Sequence, residues 1–153
     1  FKILSPRDIS NSFFLNKNEI DRKILHQDKK DILKSIKILN DLSKYDNAQS
    51  LVIINGYILA IEAAEGTDKL LMRMASIRKK LNQIMLKEGL LIKIPKKNQS
   101  KVVDLPVVGL KTLRLVHKAN LKGIVINLEF TIIHEKEKFL NYVNEYKLKI
   151  YTI

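Results

Sequence analysis

The stretch Leu51-Val52-Ile53-Ile54-Asn55-Gly56-Tyr57-Ile58-Leu59-Ala60-Ile61-Glu62 decides the fold. Two apolar runs flank an Asn-Gly pair. A two-residue turn between right-twisted strands needs positive φ at both central residues, which Asn and Gly tolerate best. The sequence therefore predicts an antiparallel hairpin. Neither run alternates with polar residues, which predicts strands buried on both faces, as in the interior of a sheet. By simple alternation Glu62 falls on the face of Ile58 and Ala60, an unusual place for a carboxylate.

Working outward, a short loop around Gly66 leads to a helix with Leu70, Met74, Ile77, Leu81 and Ile84 on one stripe, ended by Gly89. The pattern then predicts a strand over 90–94, a polar loop over 95–101 and Asp104-Leu105-Pro106. A helix over 110–120, strands over 123–128 and 131–133, a helix over 135–146 and a strand over 149–151 complete the chain. On the N-terminal side, Ser5-Pro6 predicts one turn of helix. Ile20, Ile24, Ile32, Ile36 and Leu39 predict a helix over 19–44, interrupted near Gln27-Asp28. Strands alternating with helices define a single α/β domain: a mainly parallel or mixed sheet, flanking helices and the Asn-Gly hairpin.

The 153 residues suit one domain, and 28 Lys+Arg against 16 Asp+Glu set a net charge of +12. Such a balance attracts phosphates, nucleic acids or anionic membranes. The lysines are scattered, without the basic runs of nucleic-acid tails. The absence of cysteine excludes disulfides and thiolate metal sites. The longest uncharged stretch, 47–61, is too short for the ~20 residues of a membrane span. His26, His117 and His134 lack the spacing of a zinc site. Neither a Gly-x-Ser-x-Gly elbow nor a glycine-rich phosphate loop is present.

One place gathers chemistry. Residues 57–94 read strand, helix, strand. If both strands run in the same direction, the loops that follow them meet at the carboxyl edge of the sheet, where open α/β sheets bind ligands. Glu62, Glu65 and Asp68 would then stand near Lys93, Lys96, Lys97 and Asp104. Carboxylates hold hard cations, lysines neutralise phosphate oxygens, and the helix starting near Thr67 offers free N–H groups. The set suits phosphoryl chemistry, which needs mostly positioning and charge stabilisation. Taken alone, Gly66-Thr67-Asp68 is also an ordinary helix start, and Lys96-Lys97 an ordinary solvated loop.

These residues carry a resemblance. The acidic stretch Glu62-Ala-Ala-Glu-Gly-Thr-Asp68 and the stretch from Lys93 through Asp104 to Gly109 resemble the two signatures of the UDP-2,3-diacylglucosamine pyrophosphatases of the LpxI type, in order and spacing. Residues 123–153 are similar to the C-terminal end of that family. The likeness covers most of 48–153.

The resemblance implies an enzyme of lipid A synthesis, a hydrolase that cleaves UDP-2,3-diacylglucosamine to UMP and 2,3-diacylglucosamine 1-phosphate (lipid X). It implies Mg²⁺ or Mn²⁺ as cofactor, a homodimer, and a cytoplasmic enzyme peripheral to the inner membrane, whose anionic surface is a partner. Asp104 is implied as catalytic. Glu62, Glu65, Asp68 and Asp104 are implied as metal ligands, and Thr67, Lys93, Lys96 and Gln99 as substrate contacts. Three positions depart from the pattern: Lys97 replaces proline, Ser100 replaces aspartate, and Val107 replaces threonine. Because the chain starts at Phe1, residues 1–47 are expected to be a helical lead-in from an N-terminal α/β domain. Residues 48–153 are expected to be the catalytic C-terminal domain.

Two other readings stand beside the enzyme. The charge of +12 allows a basic nucleic-acid-binding domain, although no aromatic–basic signature accompanies it. A structural or dimerisation domain without turnover is the third.

Overall fold

The computed structural model describes residues 4–21, 23–80, 88–97, 100 and 104–153. In chain order these form α1 (Pro6–Ile9), α2 (His26–Leu42), β1 (Ser50–Ile54), β2 (Tyr57–Ile61), α3 (Gly66–Lys80), β3 (Leu90–Lys93), β4 (Val107–Gly109), α4 (Leu110–Lys118), β5 (Gly123–Ile126), β6 (Ile132–His134), α5 (Lys136–Tyr146) and β7 (Lys149–Thr152). Five strands make the main sheet in the order β2-β1-β3-β5-β7. β4 and β6 form a separate parallel pair.

The hairpin forms as its turn residues require, with Asn55 at φ 48° and Gly56 at φ 83°. β1 is antiparallel to both β2 and β3. β2 and β3 therefore point the same way, and β5 and β7 run parallel to β3. The carboxyl ends of four strands share one edge of the sheet.

β1 is buried as expected, but β2 is an edge strand with both ends exposed. β3 takes the inner side of β1, so the hairpin leaves its second strand outside. β2 also carries a bulge. Val52 pairs with Ala60 and Ile53 with Ile58, which leaves Leu59 as an extra residue. The bulge breaks the expected alternation: Ile58 packs into the core under α2, while Leu59 and Ala60 pack into the core under α3, α4 and α5.

Those two cores lie on opposite faces of the sheet. The larger one includes Leu70, Leu71 and Met74 of α3 and Leu113 and Val116 of α4, all fully buried. Each such side chain contributes roughly 1.5–3 kcal/mol on leaving water. Ile77, expected inward, is 36% exposed, and Arg78 is buried in its place. The Arg78 guanidinium donates to the carbonyls of Glu88 and Asn120 at 2.9 and 3.0 Å. Leu81 and Ile84 lie outside the described residues.

Among the described residues, α2 is the one helix packed on the other face, through Ile32, Ile36 and Leu39. It starts at His26, seven residues later than the periodicity suggests. The reason is long-range. Asp21 donates its N–H to the Ile150 carbonyl (2.9 Å) and accepts the Ile150 N–H on Oδ2 (2.8 Å), so the free edge of β7 captures this segment in extended form. Two aspartates then latch α2 to the sheet. Asp28 ion-pairs with Lys122 and accepts the Tyr151 hydroxyl at 3.0 Å. Asp31 accepts the Gly56 N–H at 2.8 Å, while Lys34 donates to the Gly56 carbonyl. The remaining differences are local: α4 and β5 end earlier than predicted, and β4 falls where the sequence pattern predicts no element.

The Tyr151 latch has a pH signature. Burial first, and then the hydrogen bond to Asp28, push its phenol above the ordinary value. From pH about 10 upward the unfolded chain loses that proton and the folded chain keeps it, so stability falls as pH rises. Tyr151→Phe should flatten this fall, as read by urea unfolding at pH about 9 and about 11. An unchanged slope would refute the assignment.

Candidate active site at the carboxyl edge of the sheet

Four buried polar side chains from four segments meet at this edge: Ser50 opening β1, Glu62 just past β2, Thr67 in the first turn of α3, and Lys93 closing β3. Ser50 and Lys93 are register partners, and the Glu62 N–H donates to the Ser50 carbonyl at 2.9 Å. Opposed residues share a face. In a hairpin without the bulge, Ser50 would face Ile61 and Glu62 would point toward α2. The extra residue at Leu59 moves the pairing by one and turns Glu62 toward α3.

The side chains form a relay. Lys93 Nζ donates to Thr67 Oγ1 at 2.7 Å, and Thr67 Oγ1 donates to Glu62 Oε2 at 3.3 Å. Ser50 Oγ donates to the same Oε2 in a short bond. Burial lowers the pKa of the Lys93 ammonium, opposed by the nearby carboxylates of Glu62 and Asp68. Thr67 and Asp68 belong to the first turn of α3, where backbone N–H groups lack helical partners and favour an anion.

A cleft of about 390 Å³ opens over this relay. Its walls include Gln49, Thr67, Asp68, Lys93, Val107 and Thr112. Val107 is half exposed, so the position where the resembling family carries threonine presents an apolar side chain here. A second hollow of about 270 Å³ shares Gln49 and Glu62 with the first and includes Asp46 and Lys96. Lys96 lies in this second hollow rather than the cleft, donating to Asp46 at both its carbonyl and Oδ1 (2.8 and 2.9 Å).

The carboxylates expected to act together have separate partners. Glu65 pairs with Arg73 at 2.7 Å, and that hydrogen bond is the main cause holding its carboxyl below the usual range. Asp68 pairs with Lys111 at 2.7 Å on the cleft rim. Asp104 is exposed, with its N–H on the Ser100 carbonyl; it stands three residues before the cleft-lining Val107. Gln99 lies outside the described residues. Among the described residues no group of three or more His, Asp or Glu side chains converges on a point. Gln49 Oε1 is buried without a hydrogen-bond partner beside Asp68 and Glu62 on the cleft wall. This donor set does not form a closed protein cage for a cation. It does fit a Mg²⁺ taken up through one or two carboxylates together with ligand phosphates, the usual manner for that ion.

Ser50, Gln49 and Thr112 were not singled out from sequence. For Ser50 a signal existed: a lone hydroxyl opening the apolar run Leu51–Ile54, opposite in the hairpin to the lone carboxylate that closes it.

The fold and site define an α/β domain whose polar cleft, at the carboxyl edge of a mixed sheet, sets a buried lysine against a helix N-terminus. The chain belongs to the LpxI family: residues 17–151 match its C-terminal domain. Over 96 residues it is 36% identical to the UDP-2,3-diacylglucosamine pyrophosphatase LpxI of Caulobacter vibrioides. That match covers 62% of this chain and 34% of the relative, so the chain spans about a third of the relative's length.

The relay makes a stability prediction. Ser50→Ala removes a donor to a buried carboxylate and should cost about 1.5–3 kcal/mol in urea unfolding. Thr67→Val should cost a similar amount and Thr67→Ser much less. Equal losses for the two Thr67 variants would mean that the hydroxyl is not what matters.

Proposed function

We propose that this chain is the hydrolytic portion of an enzyme that cleaves UDP-2,3-diacylglucosamine at its phosphoanhydride, yielding UMP and 2,3-diacylglucosamine 1-phosphate for lipid A synthesis. The observation that carries the reading is the buried Lys93–Thr67–Glu62 relay, opening into a cleft at the first turn of α3. A buried cation beside free helix N–H groups is suited to a diphosphate, and less suited to a neutral ligand. Membership of the LpxI family and the name of the Caulobacter relative support the choice of substrate.

In this reading Lys93 and the first turn of α3 hold the diphosphate and stabilise the charge that grows on its oxygens. Thr67 and Glu62 hold the Lys93 ammonium toward the cleft. A divalent cation, Mg²⁺ or Mn²⁺, would be held by Asp68, now paired with Lys111, and would supply Lewis-acid polarisation and charge neutralisation. Gln49 Oε1 is the neutral acceptor in reach of the same wall. Asp104, from the neighbouring loop, acts on the attacking water. A further N-terminal domain in the same polypeptide closes over the nucleotide, two copies associate, and the enzyme works at the cytoplasmic face of the inner membrane.

The test uses the full-length protein with UDP-2,3-diacylglucosamine and Mg²⁺, reading UMP release. Asp104→Ala is expected to lower turnover by roughly 10²–10⁴-fold, the range for loss of an acid–base group. Lys93→Met is expected to lower it about 10²–10³-fold, as for loss of a charge-stabilising donor. A chelator should stop release and Mg²⁺ or Mn²⁺ should restore it. Absence of UMP from a folded, metal-supplied protein would end this reading.

A further inference from the structure

The outer face of α2 carries a charge pattern that the cleft does not explain. In sequence the helix holds four lysines and three aspartates. Folding sorts them. Asp28 and Asp31 are turned inward, 1% and 3% exposed, to the latches on Lys122, Tyr151 and Gly56. Lys29, Lys30, Lys34 and Lys37 stay exposed. The one outward acid, Asp41, is neutralised by Lys44 at 2.9 Å and also lies within electrostatic reach of Lys37 and Lys97.

Apolar groups on this face and at the two ends of the helix stand in water. Leu33 is 59% exposed among the lysines, at i and i+4 from Lys29 and Lys37. Leu25 precedes the helix at 55% exposure and Tyr45 follows it at 81%. No other helix among the described residues joins the core beneath α2, so this face looks outward over the helix's full length of roughly 25 Å. The chain then passes from Tyr45 directly into Asp46, Asn47 and Gln49, which line the hollow beside the cleft.

We infer that the outer face of α2 is a docking surface for an anionic phospholipid bilayer. It lays Lys29, Lys30 and Lys37 against the head groups and sinks Leu25, Leu33 and Tyr45 into the interface, while Lys34 keeps its bond to the Gly56 carbonyl. Charge complementarity selects an anionic partner, and the exposed leucines and tyrosine select a lipid over a nucleic acid. Apolar side chains between lysines gain from the acyl boundary and gain nothing from phosphates alone. The inference rests on the lipid-substrate reading only for its purpose: it gives that reading the surface that would bring a membrane-embedded substrate to the cleft rim.

The test is co-sedimentation of the full-length protein with phosphatidylcholine vesicles and with vesicles containing phosphatidylglycerol. Binding is expected to the anionic vesicles and to weaken with salt. Each of Lys29→Gln, Lys30→Gln and Lys37→Gln should weaken it about fivefold. Leu33→Ser should weaken it at every salt concentration. Lys79→Gln with Lys80→Gln, on α3 across the sheet, should leave binding unchanged. Far-UV circular dichroism and thermal unfolding of each variant establish that it is folded. Equal loss from the α3 pair, no anionic preference, or retention of duplex RNA by the α2 lysines without vesicle binding would each overturn the inference. UMP release from detergent-dispersed substrate is read in parallel. Turnover without vesicle binding removes the docking surface alone, and vesicle binding without turnover removes the enzymatic reading alone.

Discussion

A single extra residue in an edge strand governs where the chemistry of this domain stands. Side chains on a strand alternate between faces, so moving a register by one residue moves every later side chain to the other side of the sheet. Leu59 does this between Val52 and Ile53. Beyond the bulge Ala60 and Glu62 turn toward α3, and Glu62 comes opposite Ser50, in line with Lys93 on the next strand. The bulge also kinks the outer edge of β2, a means of discouraging further strand addition. One local irregularity thus protects an exposed apolar edge and assembles the relay.

The relay has an energetic logic. A buried carboxylate or ammonium alone is costly, and each would shift toward its neutral form. Here the two are bridged by Thr67, and Ser50 adds a donor to the carboxylate. Neither charge contacts the other directly. The ammonium is therefore held in place while its opening to the cleft remains available to a ligand. The rim carboxylates differ: Glu65 and Asp68 have basic partners in partly exposed pairs, the kind of contact worth little in water.

Much of the fold was legible because its signals are local. Asn55-Gly56 demands its turn, Ser5-Pro6 its helical turn, and the apolar repeats through Ile32 and Leu39 and through Leu70 and Met74 their burial. The meeting of the loops after β2 and β3 was legible as a condition, that the two strands run alike, and the structure meets it through the antiparallel strand between them. The misreadings share a cause. The start of α2 depends on Ile150 capturing Asp21 from the far end of the chain. The edge position of β2 depends on which side of β1 is taken by β3. Nothing in Tyr57-Ile58-Leu59-Ala60-Ile61 marks which residue will bulge.

By itself the sequence determined the kinds of element and their order, β4 excepted, and the residue types able to handle phosphate and a hard cation, since backbone preference and side-chain chemistry are written within a few residues. Tertiary structure alone decided which face each charge occupies. It paired Glu62 with Thr67 and Ser50, left Glu65 to Arg73, drew Asp28 and Asp31 inward and left the α2 lysines outside. Those choices depend on register and on partners distant in sequence, and only packing brings such partners within hydrogen-bonding range.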